Sequence, residues 1–372
     1  MELGATVEVK FAENTEPDNG APAPPTATGP RTRNRKTKPK PRPGTERFRG
    51  RLSRTQGRRK DHPAIGLRAC APFTEAGAGL PAWRCDPLLL TKLLRGTALE
   101  DQVAVSDREI TGLTCDSRTV TPGALFAAFR GSRTDGNRFI REALDKEPLP
   151  SSARPHRRAR TAPGLVTDDP RAVFGQMAAH WFGDPGRRMT LIGVTGTNGK
   201  TTTTYLLKTI LEQTLGAKVG LIGTNQNLVG HEVLPARRTT PDAYTLQALL
   251  AKMEGAGCSH VVMEVSSHAL AQGRTAGLRF RTGIFTNLTR DHLDFHGNMT
   301  AYRQAKSLLF RQCDSGCFNL DDNSGRLLIR GADCRVVTFG VNQRRAEIRA
   351  RGIRLEPDRV RFLVDTPRRP CR

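Results

Sequence analysis

Long apolar runs are missing from this 372-residue chain. No stretch of about 18 apolar residues occurs, which excludes an ordinary membrane-spanning helix. The opening residues MELGATVEVKFAENTEPD lack the apolar centre of a secretory leader. Aromatic residues are scarce at 5%, with two Trp and three Tyr. Acids are nearly absent from residues 31–60, where Glu46 alone stands against 14 Lys and Arg, so +13 of the net +23 lies in thirty residues. A basic arm of this kind suits RNA, DNA or an anionic surface. It lacks the interleaved aromatic rings that would stack on bases, so no nucleic-acid partner is expected. Its Pro- and Gly-rich text, with APAPPTATGP before it, cannot build a core, and residues 1–85 are read as a disordered basic tail. The eight cysteines (70, 85, 115, 258, 313, 317, 334, 371) form no zinc spacing and read as free thiols in a reducing compartment, hence a cytoplasmic protein.

What the chain does carry is the segment LIGVTGTNGKTTTT at 191–204. An apolar strand, a glycine turn and a helix opening on Lys and Thr make a phosphate cradle. Gly196 and Gly199 let the backbone close on phosphate oxygens, and the first helical N–H groups point at the anion. Across Gly196, Thr197, Asn198, Gly199, Lys200, Thr201 and Thr202, Lys200 supplies a point charge for the β- and γ-phosphates. The Thr201 hydroxyl is placed to join a Mg2+ shell. Val194 stands where a longer Walker A loop has its first Gly, so this is the shorter G-x-x-G-K-T turn.

The rest of the chain organises around that segment. Residues 86–185 read as a small α/β unit, with a helix at 86–96, strands near Ile110, Leu113 and 124–129, and a helix from Pro170 with Val173, Met177 and Trp181 on one face. Prolines and arginines interrupt this unit at 145–163. From 186 to 372 strands and helices alternate, and the strands are nearly continuous in apolar character, as in a parallel sheet covered on both faces. The helix after the cradle shows an apolar stripe of Leu206, Leu207, Ile210, Leu211 and Leu215, closed by Gly216. The fold class is α/β, a doubly wound and mostly parallel sheet whose ligand crevice lies at the carboxyl ends of its strands. Three segments end strands at that crevice. MEVSSHAL brings Glu264, TNLTRDHLDFHG brings Asn287 and His292, and AYRQAKSLLF brings Lys306 on a helix. Alone, His292 is a polar-turn residue and Lys306 a solvated charge; their conjunction with the cradle points to an ATP and metal site.

GTNGKTT, RTTPDAYTLQ, MEVSSHALAQGR, FTNLTRDHLDFHG and AYRQAKSLLF, in this order, resemble the Mur ligase family of peptidoglycan synthesis, and more narrowly its MurE branch. The resemblance implies a cytoplasmic, monomeric, ATP- and Mg2+-dependent amide ligase. Its substrates would be UDP-MurNAc-L-Ala-D-Glu and a diamino acid, meso-diaminopimelate or L-lysine, joined through an acyl phosphate. It implies that Gly196 to Thr202 hold ATP, that Lys200, His292 and Lys306 are catalytic, and that Thr201, Glu264, His292 and Lys306 (as a carbamate) surround one divalent cation. Thr239, Thr240, Ser266, Gln272 and Arg274 would contact the muramoyl dipeptide, and Ser117 with Ser132, Arg133 and Thr134 the UDP part. The chain departs from the family in its basic extension, in residues 145–163, in Arg238 where some members have Asn, and in stopping before the carboxy-terminal domain that receives the diamino acid. The alternatives are a catalytically incomplete fragment that binds only ATP and Mg2+, and a basic nucleic-acid-binding ATPase.

Overall fold

A computed structural model of the chain describes residues 5–10, 86–102, 108–130, 135–145 and 165–367. The described residues from 86 onward belong to one compact unit. Its amino-terminal part holds α1 (Leu90–Leu94), two short strand pairs (Leu88–Leu89 with Glu109–Ile110, Gly112–Thr114 with Ala124–Phe126), α2 (Ile140–Asp145) and α3 (Pro170–Trp181). The helix expected over 86–96 is only five residues long and its chain turns away at Gly96, whose φ is 68°. Helix α3 starts where expected because Asp169 caps Ala172 N–H and Pro170 occupies the first helical position. Val173, Met177 and Trp181 are buried as expected, in a core shared with Leu93, Leu94 and Ala248. That shared core bridges the boundary expected at 185–186.

The remainder is one eleven-stranded sheet. Its strands are β1 (Ala5–Lys10), β2 (Thr190–Thr195), β3 (Val219–Ile222), β4 (Gln226–Val229), β5 (Glu232–Pro235), β6 (His260–Glu264), β7 (Phe280–Phe285), β8 (Cys313–Asn319), β9 (Arg335–Gly340), β10 (Ile348–Leu355) and β11 (Arg359–Asp365). Their order is β1-β11-β10-β9-β8-β7-β2-β6-β3-β4-β5. The pairs from β10 through β9, β8, β7, β2 and β6 to β3 are all parallel. Antiparallel hairpins extend both flanks, β3-β4-β5 on one side and β10-β11 on the other. The parallel centre bears out the doubly wound reading. Strand β1, Ala5–Lys10, lies at the sheet edge beside β11. The rest of the expected tail lies outside the described residues, as does 146–164.

Helices α4 (Lys200–Leu215), α5 (Ala243–Gly255), α6 (Ser267–Ala271), α7 (Leu293–His296), α8 (Met299–Ser307) and α9 (Asn323–Ile329) connect the strands. The first crossover runs from β2 past β6 to β3. After β6 the chain crosses to β7 on the other side of β2. The order thus reverses at β2, and the carboxyl ends of β2, β6 and β7 open a crevice there. The expected stripe on α4 is only partly the buried face, Leu207 and Leu211 packing against Val194, Val219 and Val262. Leu206, Ile210 and Leu215 are exposed, the last two by 52% and 60%, while Thr204 and Lys208 are buried. Position on the helix explains this: Thr201 faces the crevice, so the turn-by-turn neighbours Thr204 and Lys208 lie inward. Lys208 pairs with Glu212 one turn on. Among the described residues no helix is long and apolar enough to cross a membrane.

Candidate active site

The phosphate-loop turn is held open by its neighbours rather than by itself. Thr197 N–H donates to Asn287 O (2.9 Å), Asn198 N–H to Asn287 Oδ1 (2.9 Å), and Asn287 Nδ2 to Asn198 O (3.1 Å). Thr286 Oγ1 donates to Asn198 O (2.7 Å), and Thr289 N–H to Thr197 Oγ1 (3.0 Å). A Cβ at Gly196 would run into the Thr286 hydroxyl and come within 3.1 Å of Asn287 N, so this approach admits only glycine. Gly199 is free of neighbours but has φ 80°, and from it α4 begins. Lys200 Nζ folds back over the turn onto Gly196 O (3.0 Å) and Thr197 O (2.8 Å). Burial lowers its pKa against the pull of Glu264 and Asp291. Thr202, at the third position of α4, is exposed.

Glu264, ending β6 in register with Val194, is 1% exposed and among the described residues forms no ion pair. Its carboxylate accepts Thr201 Oγ1–H (3.0 Å), Thr224 N–H (2.9 Å) and Thr224 Oγ1 (3.1 Å). Gly223 leaves room for it, since a Cβ there would stand 2.6 Å from Glu264 Oε1. A buried carboxylate held only by hydroxyls and one amide, beside a phosphate loop, offers hard oxygen ligands of the kind Mg2+ takes when phosphates and water complete its shell. The donor set of Glu264 and Thr201 fits that ion.

Lys306 lies across the same turn. It is 1% exposed, donates to Gly196 O (2.9 Å) and sits 4.6 Å from the centre of the Tyr302 ring. Burial, and then the charge of Lys200, lower its pKa to about 7, Asp291 opposing. One carbonyl, Gly196 O, thus receives both lysines. Tyr302 Oη is 3.2 Å from Thr197 Oγ1, which ties the Lys306 helix to the loop.

His292 lies in the polar turn that follows β7. It has a left-handed backbone (φ 51°), a half-exposed ring and Asp291 Oδ2 at 3.5 Å. Its ring meets His268 (centroids 4.8 Å apart) and Tyr302 (6.1 Å), but it makes no hydrogen bond to Glu264 or Lys306. Of the four expected cation ligands, Thr201 hydrogen-bonds Glu264, and His292 and Lys306 both lie against Tyr302. Among the described residues no cluster of three His, Cys, Asp or Glu side chains could hold a metal.

Beside Glu264 the expected substrate residues are laced together. Thr240 Oγ1 donates to Glu264 O (2.8 Å) and accepts Ser266 N–H (3.0 Å), and Ser266 Oγ caps α6 by accepting Ala269 N–H. Thr239 Oγ1 lies 3.0 Å from Thr224 Oγ1. Arg274 donates through Nε and Nη2 to Gln272 Oε1 (3.0 and 2.6 Å) and through Nη1 to Thr240 O (2.9 Å). Ser117 is buried in a short helical turn of the amino-terminal part, capped by Asp116. Ser132, Arg133 and Thr134 lie outside the described residues. Sequence reasoning passed over Thr224, Thr286, Thr289 and Tyr302. For the three threonines, short polar residues soon after strands at the crevice were the available signal; Tyr302 lies within α8.

The Mur ligase middle domain matches residues 194–371, and the Mur ligase family catalytic domain matches 109–181. The chain belongs to the Mur ligase family. Among its relatives, a UDP-N-acetylmuramoyl-L-alanyl-D-glutamate--2,6-diaminopimelate ligase of Streptomyces avermitilis is 41% identical over 269 residues, covering 70% of this chain and 53% of the relative. The ligase of the same name from Streptomyces coelicolor is 44% identical over 251 residues, covering 65% and 49%. A UDP-N-acetylmuramyl-tripeptide synthetase of Roseiflexus sp. is 39% identical over 286 residues, covering 70% and 55%. This Mur ligase chain thus spans about half the length of the curated relatives it matches. A solved UDP-N-acetylmuramoyl-L-alanyl-D-glutamate--2,6-diaminopimelate ligase superposes with a TM-score of 0.63 at 25% identity, over 76% of this chain and 58% of that one.

Proposed function

We propose that the chain carries the ATP and sugar-nucleotide half of a MurE-type ligase, which joins 2,6-diaminopimelate to UDP-MurNAc-L-Ala-D-Glu in the cytoplasm. The observation that supports this most is the convergence of Lys200, Glu264 and Lys306 on the Gly196–Thr201 turn. The diamino acid is assigned from the names of the relatives.

On this reading Lys200 leaves the carbonyls of Gly196 and Thr197 for the β- and γ-phosphates of ATP, where its charge opposes theirs. Glu264 and the Thr201 hydroxyl would hold Mg2+, which would supply positive charge against the phosphates. A carboxylate of the D-Glu residue attacks the γ-phosphorus; the new O–P bond forms as the bond to ADP breaks. The diamino acid's amine then attacks the acyl carbon, forming the amide and expelling phosphate. Arg274, fixed by Gln272 and Thr240, orients the peptide arm. Lys306, with its pKa near 7, is largely uncharged in mildly alkaline solution. Its nitrogen can attack CO2, form an N–C bond and release a proton, which converts a buried cation into a carbamate anion.

Phosphate release from ATP, measured with UDP-MurNAc-L-Ala-D-Glu and diaminopimelate, tests the assignment, and hydroxylamine in place of the amine traps the acyl phosphate. Release that depends on the dipeptide nucleotide is expected. A chain that binds neither ATP nor the sugar nucleotide refutes the reading. A mass gain equal to one CO2 on the peptide containing Lys306 tests the carbamate.

A further inference from the structure

Three side-chain oxygens stand in a row that ends on Glu264. Thr239 Oγ1 lies 3.0 Å from Thr224 Oγ1, and Thr224 Oγ1 lies 3.1 Å from Glu264 Oε2. Each contact needs one hydrogen. The row holds two, one on each threonine, because a carboxylate oxygen only accepts. A single arrangement satisfies both contacts: Thr224 gives its proton to Glu264, and Thr239 gives its proton to Thr224. Were Thr224 to donate to Thr239 instead, a hydroxyl lone pair would face a charged oxygen of a residue that is 1% exposed.

The backbone of Thr224 holds the other carboxylate oxygen. Its N–H donates to Glu264 Oε1 (2.9 Å), which also accepts Thr201 Oγ1–H (3.0 Å). Oε1 thus carries two donors, while Oε2 carries the Thr224 hydroxyl. Gripping both oxygens from one residue fixes the plane of the carboxylate, which a single bond would leave free to turn. Strand register puts Thr224 there. Ile222 ends β3 opposite Met263 of β6, so Glu264 comes next, and Gly223, lacking a Cβ, lets the carboxylate reach Thr224. Thr240, the neighbour of Thr239, donates to Glu264 O (2.8 Å). The 239–240 segment therefore meets Glu264 twice, at its main chain and, through Thr224, at its carboxylate.

We infer that Thr224 is a positioning residue for Mg2+: it holds Glu264 so that Oε2 keeps a lone pair for the cation, and it ties that carboxylate through Thr239 to the 239–240 segment. This rests on the functional reading above and extends it to a residue outside the phosphate-loop turn.

The test is calorimetric titration of the full chain with ATP, over a series of Mg2+ concentrations and again in EDTA. The proteins are the parent, Thr224→Val, Thr224→Ser, Thr239→Val and the double valine variant. Valine keeps the backbone N–H and removes only the hydroxyl bond. Thr224→Val should raise the Mg2+ concentration for half-maximal ATP binding roughly tenfold, the loss of one hydrogen bond to a charged group. Affinity for ATP in EDTA should stay as in the parent. Thr224→Ser, which keeps the hydroxyl, should bring the requirement back to within about twofold. Thr239→Val should raise it about threefold. The double variant should need no more Mg2+ than Thr224→Val, since the outer bond acts only through the inner one. An unchanged requirement in Thr224→Val, against a parent that depends on Mg2+, overturns the inference alone. So does a serine variant as weak as the valine one, an additive double variant, or a loss shared with EDTA and accompanied by a lower thermal midpoint. A parent that binds no ATP, or binds it without regard to Mg2+, removes the reading beneath, and the inference with it.

Discussion

Replacing Lys306 by Met should stabilise the protein at neutral pH and cease to do so in alkali. The amine is 1% exposed, and its pKa falls from the ordinary 10.5 to about 7. Between these values an unfolded lysine keeps a proton that the folded one has shed. Stability therefore rises with pH across that window, and below pH 7 this group makes no further difference. At 1.36 kcal/mol per unit, the buried amine costs about 4 kcal/mol at pH 7 and about 1 kcal/mol at pH 10. Methionine removes that cost and one hydrogen bond worth about 1 kcal/mol. It strands nothing, because Gly196 O keeps Lys200 as a donor. The net gain should be about 3 kcal/mol at pH 7 and about zero at pH 10. Urea unfolding of parent and variant at both pH values, in degassed buffer free of bicarbonate, measures it. A difference independent of pH, or a variant weaker than the parent at pH 7, would refute the idea that desolvation keeps this amine neutral.

Three further outcomes follow from the same geometry. Gly196→Ala forces its methyl into the Thr286 hydroxyl; it should lower stability by about 1–3 kcal/mol and abolish ATP binding by calorimetry. Asn287→Ala removes two side-chain bonds to Asn198. Nucleotide affinity should fall by about 1–3 kcal/mol, with the amides of 197 and 198 losing protection in hydrogen exchange. Glu264→Gln keeps the shape that Thr201 and Thr224 hold but removes the charge. The Mg2+ concentration needed for half-maximal ATP binding should rise at least about tenfold, and an unchanged requirement would take Glu264 out of the ion's shell.

The sheet was legible because its signals are local. A buried apolar strand, Gly199 at a positive φ and Lys200 opening a helix all fall within ten residues, and the β-branched character of β6 and β7 marks a covered parallel centre. Polarity misled on α4, where Leu206 and Ile210 face solvent while Thr204 and Lys208 lie inward. There the helix is oriented by what its first turn must present, which periodicity does not encode. The partners of the site were out of reach for a different reason. Lys306 meets Gly196 across 110 positions and Asn287 meets Asn198 across 89. Such pairings depend on strand order and register, so the motifs name the side chains but leave open which of them touch.

The lacing of residues 197 and 198 by 286–289 has a consequence for any attempt to shorten this protein. The cradle is shaped from outside, by residues nearly ninety places downstream. A fragment ending at Phe285 would contain every letter of the nucleotide signature and still present a slack, shapeless loop. Grip on a triphosphate is a property acquired only when the seventh strand and its exit have docked, late in the chain's own order of synthesis.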